Sequence, residues 1–251
     1  MGYYDLSKEE RVHVYKTMEG NITFDVKQNK IDYLLQYAAD QDTYIRKNAY
    51  LIMGRLYHSN PPLQEAVLQI AEKLLAHDDE KIRQTIVNAL GEIGKKDASS
   101  VMAFFEKALF DEHHSVRNAV IGSFKKMGKV NPKPVLSISK KYLHHPDPEI
   151  RREVIHGIEL RGRTHPEEVL PLLKEVQFET VKRVRNMIIH VIGQISYKEG
   201  CLEKVVQALR EWENKELVQG AIIEIIDVHH RYMDFSDKTA EEAKIYISRH
   251  L

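Results

Sequence analysis

The sequence predicts an all-α chain built as a right-handed stack of about six helical hairpins. Ile45-Arg46, Ile82-Arg83, Val116-Arg117, Ile150-Arg151 and Val184-Arg185 set the same β-branched residue and arginine at intervals of 37, 34, 34 and 34 residues. The next step of 34 reaches Val218-Gln219, where the arginine is lost, as in the atypical end unit of a repeat array. Four places after each Ile or Val stand Ala49, Ile86, Val120, Val154, Ile188 and Ile222, and eight places after it Met53, Leu90, Phe124, Ile158, Ile192 and Ile226. These offsets share one helix face. Upstream of each pair runs a second apolar stretch, such as residues 63–75, several of them opened by Pro61, Pro62, Pro132, Pro134 or Pro166. Proline is tolerated in the first turn of a helix, so these mark where the first helix of each hairpin starts.

Ser7 with Glu10 reads as a capping box that opens a helix through about Glu19. Residues 19–29, with β-branched residues and turn formers, read as a loop or irregular link. Asp42, Asp79 and Asp147 stand three residues before their Ile and cap the second helices. Gly54, Gly91, Gly94, Gly128, Gly162 and Gly193 read as helix stops. The three extra residues of the first interval fall near residues 59–62, and Thr239 with Glu242 opens a last helix. The expected organisation is one domain over 1–251: an N-terminal cap and link at 1–29, about six repeats over 30–231, and a C-terminal capping helix at 232–251.

The turns Ala76–Arg83 (AHDDEKIR) and His144–Arg151 (HHPDPEIR), with the repeated helix face, resemble the HEAT-repeat family, especially its short bacterial form found in bilin-lyase-like proteins. The resemblance spans roughly residues 30–230. It implies an armadillo-type α-solenoid whose second helices line a concave surface, and a ladder between neighbouring repeats formed by the turn Asp and the helix Arg. Asp is missing at the equivalent positions His113, Val181 and Lys215. More distantly, the chain resembles the HEAT-like DNA alkylation-repair glycosylases, whose grooves hold a damaged nucleotide between tryptophans and a carboxylate.

Charge is balanced overall, 37 Lys and Arg against 37 Asp and Glu, but unevenly placed. Residues 116–185 carry 15 Lys and Arg against 8 Asp and Glu, residues 61–115 carry 6 against 10, and residues 186–251 carry 8 against 11. A basic centre between acidic flanks follows. The single cysteine, Cys201, excludes an intramolecular disulfide framework and reads as a small buried filler. No apolar run is long enough to cross a membrane, and the first residues lack the pattern of a signal peptide, so a cytoplasmic protein is expected.

At 100° per residue, offsets two, six and thirteen of each second helix point away from the apolar arc. From these rows and their neighbours, Lys95, Lys129, Arg163, Lys125, Lys126, Arg152, Asn118, Asn186, His156 and His190 are the candidate groove residues. The repeated arginines sit beside core positions and are expected to hold turns and neighbouring repeats. His156 and His190 share offset six, but the next residue in that row, Glu224, lies a further repeat away, and three ligands in a straight row cannot surround one ion; no metal is expected. His113-His114, His144-His145 and His229-His230 match no ligand spacing and are expected in exposed turns.

No phosphate loop, nucleophile elbow, zinc-protease motif or paired cysteine motif occurs. For a glycosylase, Glu159 is the carboxylate nearest the basic centre, but the only tryptophan, Trp212, belongs to a first helix away from the groove. The reading favours a non-catalytic scaffold, without cofactor, whose polar and centrally basic groove takes a protein partner with an acidic or polar surface and no membrane. The alternative is a nucleic-acid binder, including one of the glycosylase type. Eight of the twelve tyrosines fall by residue 57, and some of these are expected to form an aromatic patch near the N-terminus.

Overall fold

The computed structural model describes residues 2–251, and among them every regular element is helical. The all-α class expected from the repeat is the one found. The chain divides into two compact units, Met1–Ser123 and Phe124–Leu251. The first holds α1 (Lys8–Lys27), α2 (Asp32–Ala39), α3 (Thr43–Ser59), α4 (Gln64–Leu75), α5 (Glu80–Gly94), α6 (Met102–Ala108) and the opening turns of α7 (His114–Val130). The second holds the end of α7, then α8 (Pro132–Tyr142), α9 (Pro148–Gly157), α10 (Glu159–Gly162), α11 (Pro166–Glu175), α12 (Lys182–Gln194), α13 (Cys201–Arg210), α14 (Lys215–Arg231) and α15 (Ala240–His250).

The repeated apolar positions are the core. Ile82, Val116, Ile150, Val184 and Val218 are buried, as are Ala49, Ile86, Val120, Val154 and Ile188 four places on. The exceptions, Ile45, Ile222 and Ile226, are half-buried and lie in the first and last copies. An end repeat has a neighbour on one side only, so its apolar face is covered less completely. In the first unit α3 packs along α5; in the second α9, α12 and α14 pack in succession.

Four of the five repeated arginines hold the turns that precede them, while the fifth, Arg185, faces Glu216 at 3.7 Å. Arg46 donates to the carbonyls of Asp40 and Gln41, Arg83 to those of His77 and Asp78, Arg117 to those of Asp111 and Glu112, and Arg151 to those of His145 and Pro146. The guanidinium thus takes up carbonyls that the turn leaves without backbone partners. A ladder exists, but its acid is not the capping Asp. Arg83 grips Asp111 at 2.8 and 2.9 Å, and Arg151 grips Glu179 at 2.7 and 3.0 Å. Asp111 and Glu179 also accept the backbone N–H of His113 and Val181, in two of the three turns that lack the capping Asp. Burial pushes both carboxyls up, but the arginine and the backbone donors outweigh it and hold them below the usual range. Asp42, Asp79 and Asp147 instead cap their helices, accepting from Tyr44, Lys81 and Glu149 N–H at 2.7–2.8 Å.

Three further expectations are corrected. Residues 19–27 are helix, not loop: Met18, Ile22 and Val26 lie on one face and are buried, and that packing overrides the weak propensity of Ile22, Thr23 and Val26. Asn29 closes α1 in the left-handed region at φ 52°, while buried Asp25 accepts the N–H groups of Tyr33 and Leu34 at the start of α2. Gly54, Gly91, Gly128 and Gly193 sit inside helices and do not end them. A Cβ at Gly54 would lie 2.6 Å from Glu92 Cβ, and one at Gly193 2.5 Å from Glu224 Cγ, so these glycines let neighbouring second helices approach. His229 is buried within α14, donating through Nδ1 to the Ile225 carbonyl at 2.8 Å, and burial lowers its pKa. The expected aromatic patch is present: Tyr4 and Tyr44 meet edge to face with centroids 4.2 Å apart beside Tyr3, under the Arg11 guanidinium.

Ile150→Asp places an unpaired charge in the core of the second unit. It is expected to lower stability by about 3 kcal/mol or more with loss of more than one hairpin, read by urea denaturation followed by circular dichroism. A midpoint close to that of the unaltered chain would contradict the assignment of this position to the shared core.

Candidate functional site

The site forms where three second-helix segments of the second unit come together. In the fourth copy the second helix is interrupted at Ile158, between α9 and α10. The preceding Gly157 occupies a position held by Ile, Ala, Ser, Val and Ile in the other copies, and a Cβ there would stand 3.1 Å from the Phe124 ring. A helix-interior glycine lowers local helix stability, and here it also admits the phenyl ring. Glu159, the first residue after the break, turns its side chain inward and is only 3% exposed.

Its carboxylate is the centre of a compact charge cluster. Glu159 Oε2 accepts from Lys125 Nζ at 2.8 Å and lies 3.2 Å from His156 Nε2 and 3.7 Å from His190 Nε2. Oε1 accepts from Arg163 at 2.6 Å. Lys125 Nζ is also 2.6 Å from His156 Nε2. An ammonium can only donate, so at this shorter contact Nε2 is the acceptor and the ring proton sits on Nδ1. Arg163 donates further to Gln194 and to the Tyr197 hydroxyl and lies over the Tyr197 ring. His190 Nδ1 faces Glu224 Oε1 at 3.5 Å, and Glu224 is held by Arg231 at 2.7 Å. Burial pushes the Glu159 carboxyl up, yet the His190 contact and the Lys125 ammonium outweigh it and hold it far below the ordinary carboxylate range. It is therefore ionised near neutral pH.

The structure brings Lys125, His156, Arg163 and His190 together around Glu159. Arg152 lies half-buried near them in sequence but pairs with Glu149 at 3.1 Å and with Glu153. Lys129 and Asn186 are exposed, Lys126 is half-buried, and Lys129 has no ion pair among the described residues. Lys95 and Asn118 belong to the first unit, where Lys95 pairs with Glu92 and Asn118 is exposed. Tyr197, in the offset-thirteen row, is buried and stacks on Tyr232 with centroids 5.2 Å apart. Cys201 is a buried filler whose thiol is pushed up by burial, and Trp212 is buried in the turn that follows the first helix α13 rather than within it.

Against this geometry the comparisons can be placed. Residues 31–121 match the family described as HEAT repeats. Among solved structures, AlkD2 from Streptococcus mutans superposes with a TM-score of 0.54 at 15% identity, over 81% of this chain and 97% of that one. A second S. mutans protein, smu.31 from strain UA159, gives a TM-score of 0.47 at 18% identity over 83% and 96% of the two chains. At 15% identity the likeness to AlkD2 is one of fold alone. No curated protein sequence matches the chain. No helix among the described residues is long and apolar enough to cross a membrane.

The offset rows set Glu224 next to the histidine pair and offer Glu159 only as a catalytic carboxylate, whereas in the structure Glu159 lies between His156 and His190. The missing signal was the i,i+3 spacing from His156 to Glu159, one helical turn apart on the same side. Lys125 and Glu159 both stand nine places after their Ile or Val, 34 residues apart, so the same arithmetic that set the rows also pairs them.

Glu159→Gln leaves Lys125 and Arg163 without their shared counter-charge in a buried site. It is expected to cost about 3 kcal/mol near neutral pH. Because the folded-state pKa of Glu159 is depressed, its contribution is present above the unfolded-state value and is lost as pH falls below it, from about pH 4.5 downward. Urea denaturation at several pH values should show a shallower acid-side decline in the variant than in the unaltered chain; parallel declines would refute the assigned charge state.

Proposed function

We propose that the chain is a non-catalytic HEAT-repeat scaffold whose second-helix face over residues 124–251 binds a protein partner with a polar or acidic surface. The supporting observation is that the cations of this face are held in fixed positions by internal acids. Lys125 and Arg163 are anchored by Glu159, Arg152 by Glu149, and Arg231 by Glu224 and Asp227. Side chains locked in this way lose little freedom on docking and present donors in defined directions, which suits a specific protein surface. A face for a phosphate backbone gains from many unpaired, solvent-facing cations, and the cations here are largely neutralised already.

The geometry also weighs against base excision. A carboxylate that stabilises a developing sugar cation must face it, whereas Glu159 is buried under Lys125 and Arg163, and no tryptophan lines the site. Incubating alkylated DNA with excess folded protein is expected to release no methylated base.

The binding face is tested by Lys129→Glu with Asn186→Glu, two exposed positions outside the charge cluster. Proteins captured from source-cell lysate by the unaltered chain should persist after nuclease treatment and be depleted by about tenfold in the double variant, with helical content unchanged. Capture that vanishes with nuclease, together with oligonucleotide affinity falling steeply and linearly in log salt concentration, would transfer the function to nucleic-acid binding.

A further inference from the structure

We propose that His156, Glu159 and His190 form a binding site for one divalent transition-metal ion of the zinc class, with the Lys125 ammonium competing for the same position. Two imidazole nitrogens and one carboxylate oxygen suit such an ion, whereas magnesium and calcium prefer oxygen alone. The three ligand atoms converge, no two of them more than 4.8 Å apart. Ligands at about 2.0–2.2 Å from a tetrahedral ion are separated by about 3.4 Å. His156 Nε2 and Glu159 Oε2 are already 3.2 Å apart, and His190 Nε2 and Glu159 Oε2 3.7 Å, so small side-chain rotations complete the geometry.

Two further features belong to a metal site rather than to a chance cluster. The Lys125 ammonium lies 2.6 Å from His156 Nε2 and 2.8 Å from Glu159 Oε2, so two of the three ligand atoms already converge on a positive charge. Its side chain is one-fifth exposed and has a route to solvent when an ion takes its place. His190 turns its other nitrogen, Nδ1, toward Glu224 Oε1 at 3.5 Å, and Arg231 fixes that carboxylate. A carboxylate behind a ligating histidine sets the ring orientation and raises its basicity. Gly193 is what lets Glu224 approach this closely, since a Cβ there would collide with Glu224 Cγ.

The test titrates zinc into the full chain by calorimetry and follows cobalt(II) by visible absorption. One ion per chain is expected. Glu224→Gln should weaken binding by about 10–100-fold, and His156→Ala or His190→Gln by more than that. Lys125→Met should tighten binding by about tenfold by removing the competing charge. Glu159 is left intact in all of these, so Lys125 or Arg163 keeps its buried partner, and circular dichroism verifies folding. The proposal is overturned if the His156→Ala/His190→Gln double variant binds zinc as the unaltered chain does, or if Lys125→Met gives neither heat nor cobalt bands at about 1 mM metal, a concentration that reveals even weak sites.

Discussion

A helical hairpin of some thirty residues has an apolar face that it cannot cover by itself, and the next hairpin must cover it. Every other feature of this chain is subordinate to that requirement. The Ile or Val that opens each second helix, and the residues four and eight places on, are buried in the inner copies, whereas Ile45 in the first copy and Ile222 and Ile226 in the last are only half-covered. Burying a side chain of this kind contributes about 1.5–3 kcal/mol, but only when the neighbouring hairpin is in place, so stability is shared between copies. The repeated arginine fixes the geometry of that sharing. It ties the turn on its own side through two carbonyls and, at Arg83 and Arg151, reaches an acid in the following turn.

Equal spacing has a second consequence. When second helices pack in register, side chains at the same offset in adjacent copies meet, and pairs 34 residues apart become contacts. Lys125 meets Glu159, His156 meets His190, Arg163 meets Tyr197 and His190 meets Glu224. A polar cluster on this face is thus the repeat's own geometry filled with titratable residues. What is particular to this chain is that one member, Glu159, points inward. A buried carboxylate stays ionised only if cations and donors compensate its lost hydration, and Lys125 and Arg163 do so.

The hairpins, their core positions, the helix caps at Asp42, Asp79 and Asp147 and the structural role of the arginines were legible because each depends on residue type at a fixed interval. The extent of α1 was not, since Ile22 and Val26 look like strand or loop formers until their burial against neighbouring helices is known. The glycines misled for a related reason: Gly at the end of an apolar run reads as a stop, and only the approach of Glu92 or Glu224 shows that it serves contact. At the site, Lys125, His156, Arg163 and His190 were reached from the outward rows. Glu159 as their common centre was not, because the interruption at Ile158, which turns that carboxylate inward, is invisible to arithmetic that assumes an ideal helix of constant pitch.

The charge census of this face bears on both proposals. Residues 116–185 hold a surplus of seven basic residues by count, yet the cations nearest the cluster face acids at salt-bridge distance. Two unit charges about 3 Å apart interact by several kcal/mol at an effective dielectric near 20, and a polyanion drawing Lys125 or Arg163 outward must first overcome that attraction and then leave Glu159 buried without compensation. A metal ion stands differently. It enters the cluster, replaces one positive charge with two, and leaves Glu159 with a counter-charge, so the arrangement that resists a phosphate backbone is the one that accommodates a divalent cation. The same asymmetry makes Lys125 the residue that separates the two: it is bound too firmly to serve a polyanion, yet it is the single positive charge that an incoming ion has to displace.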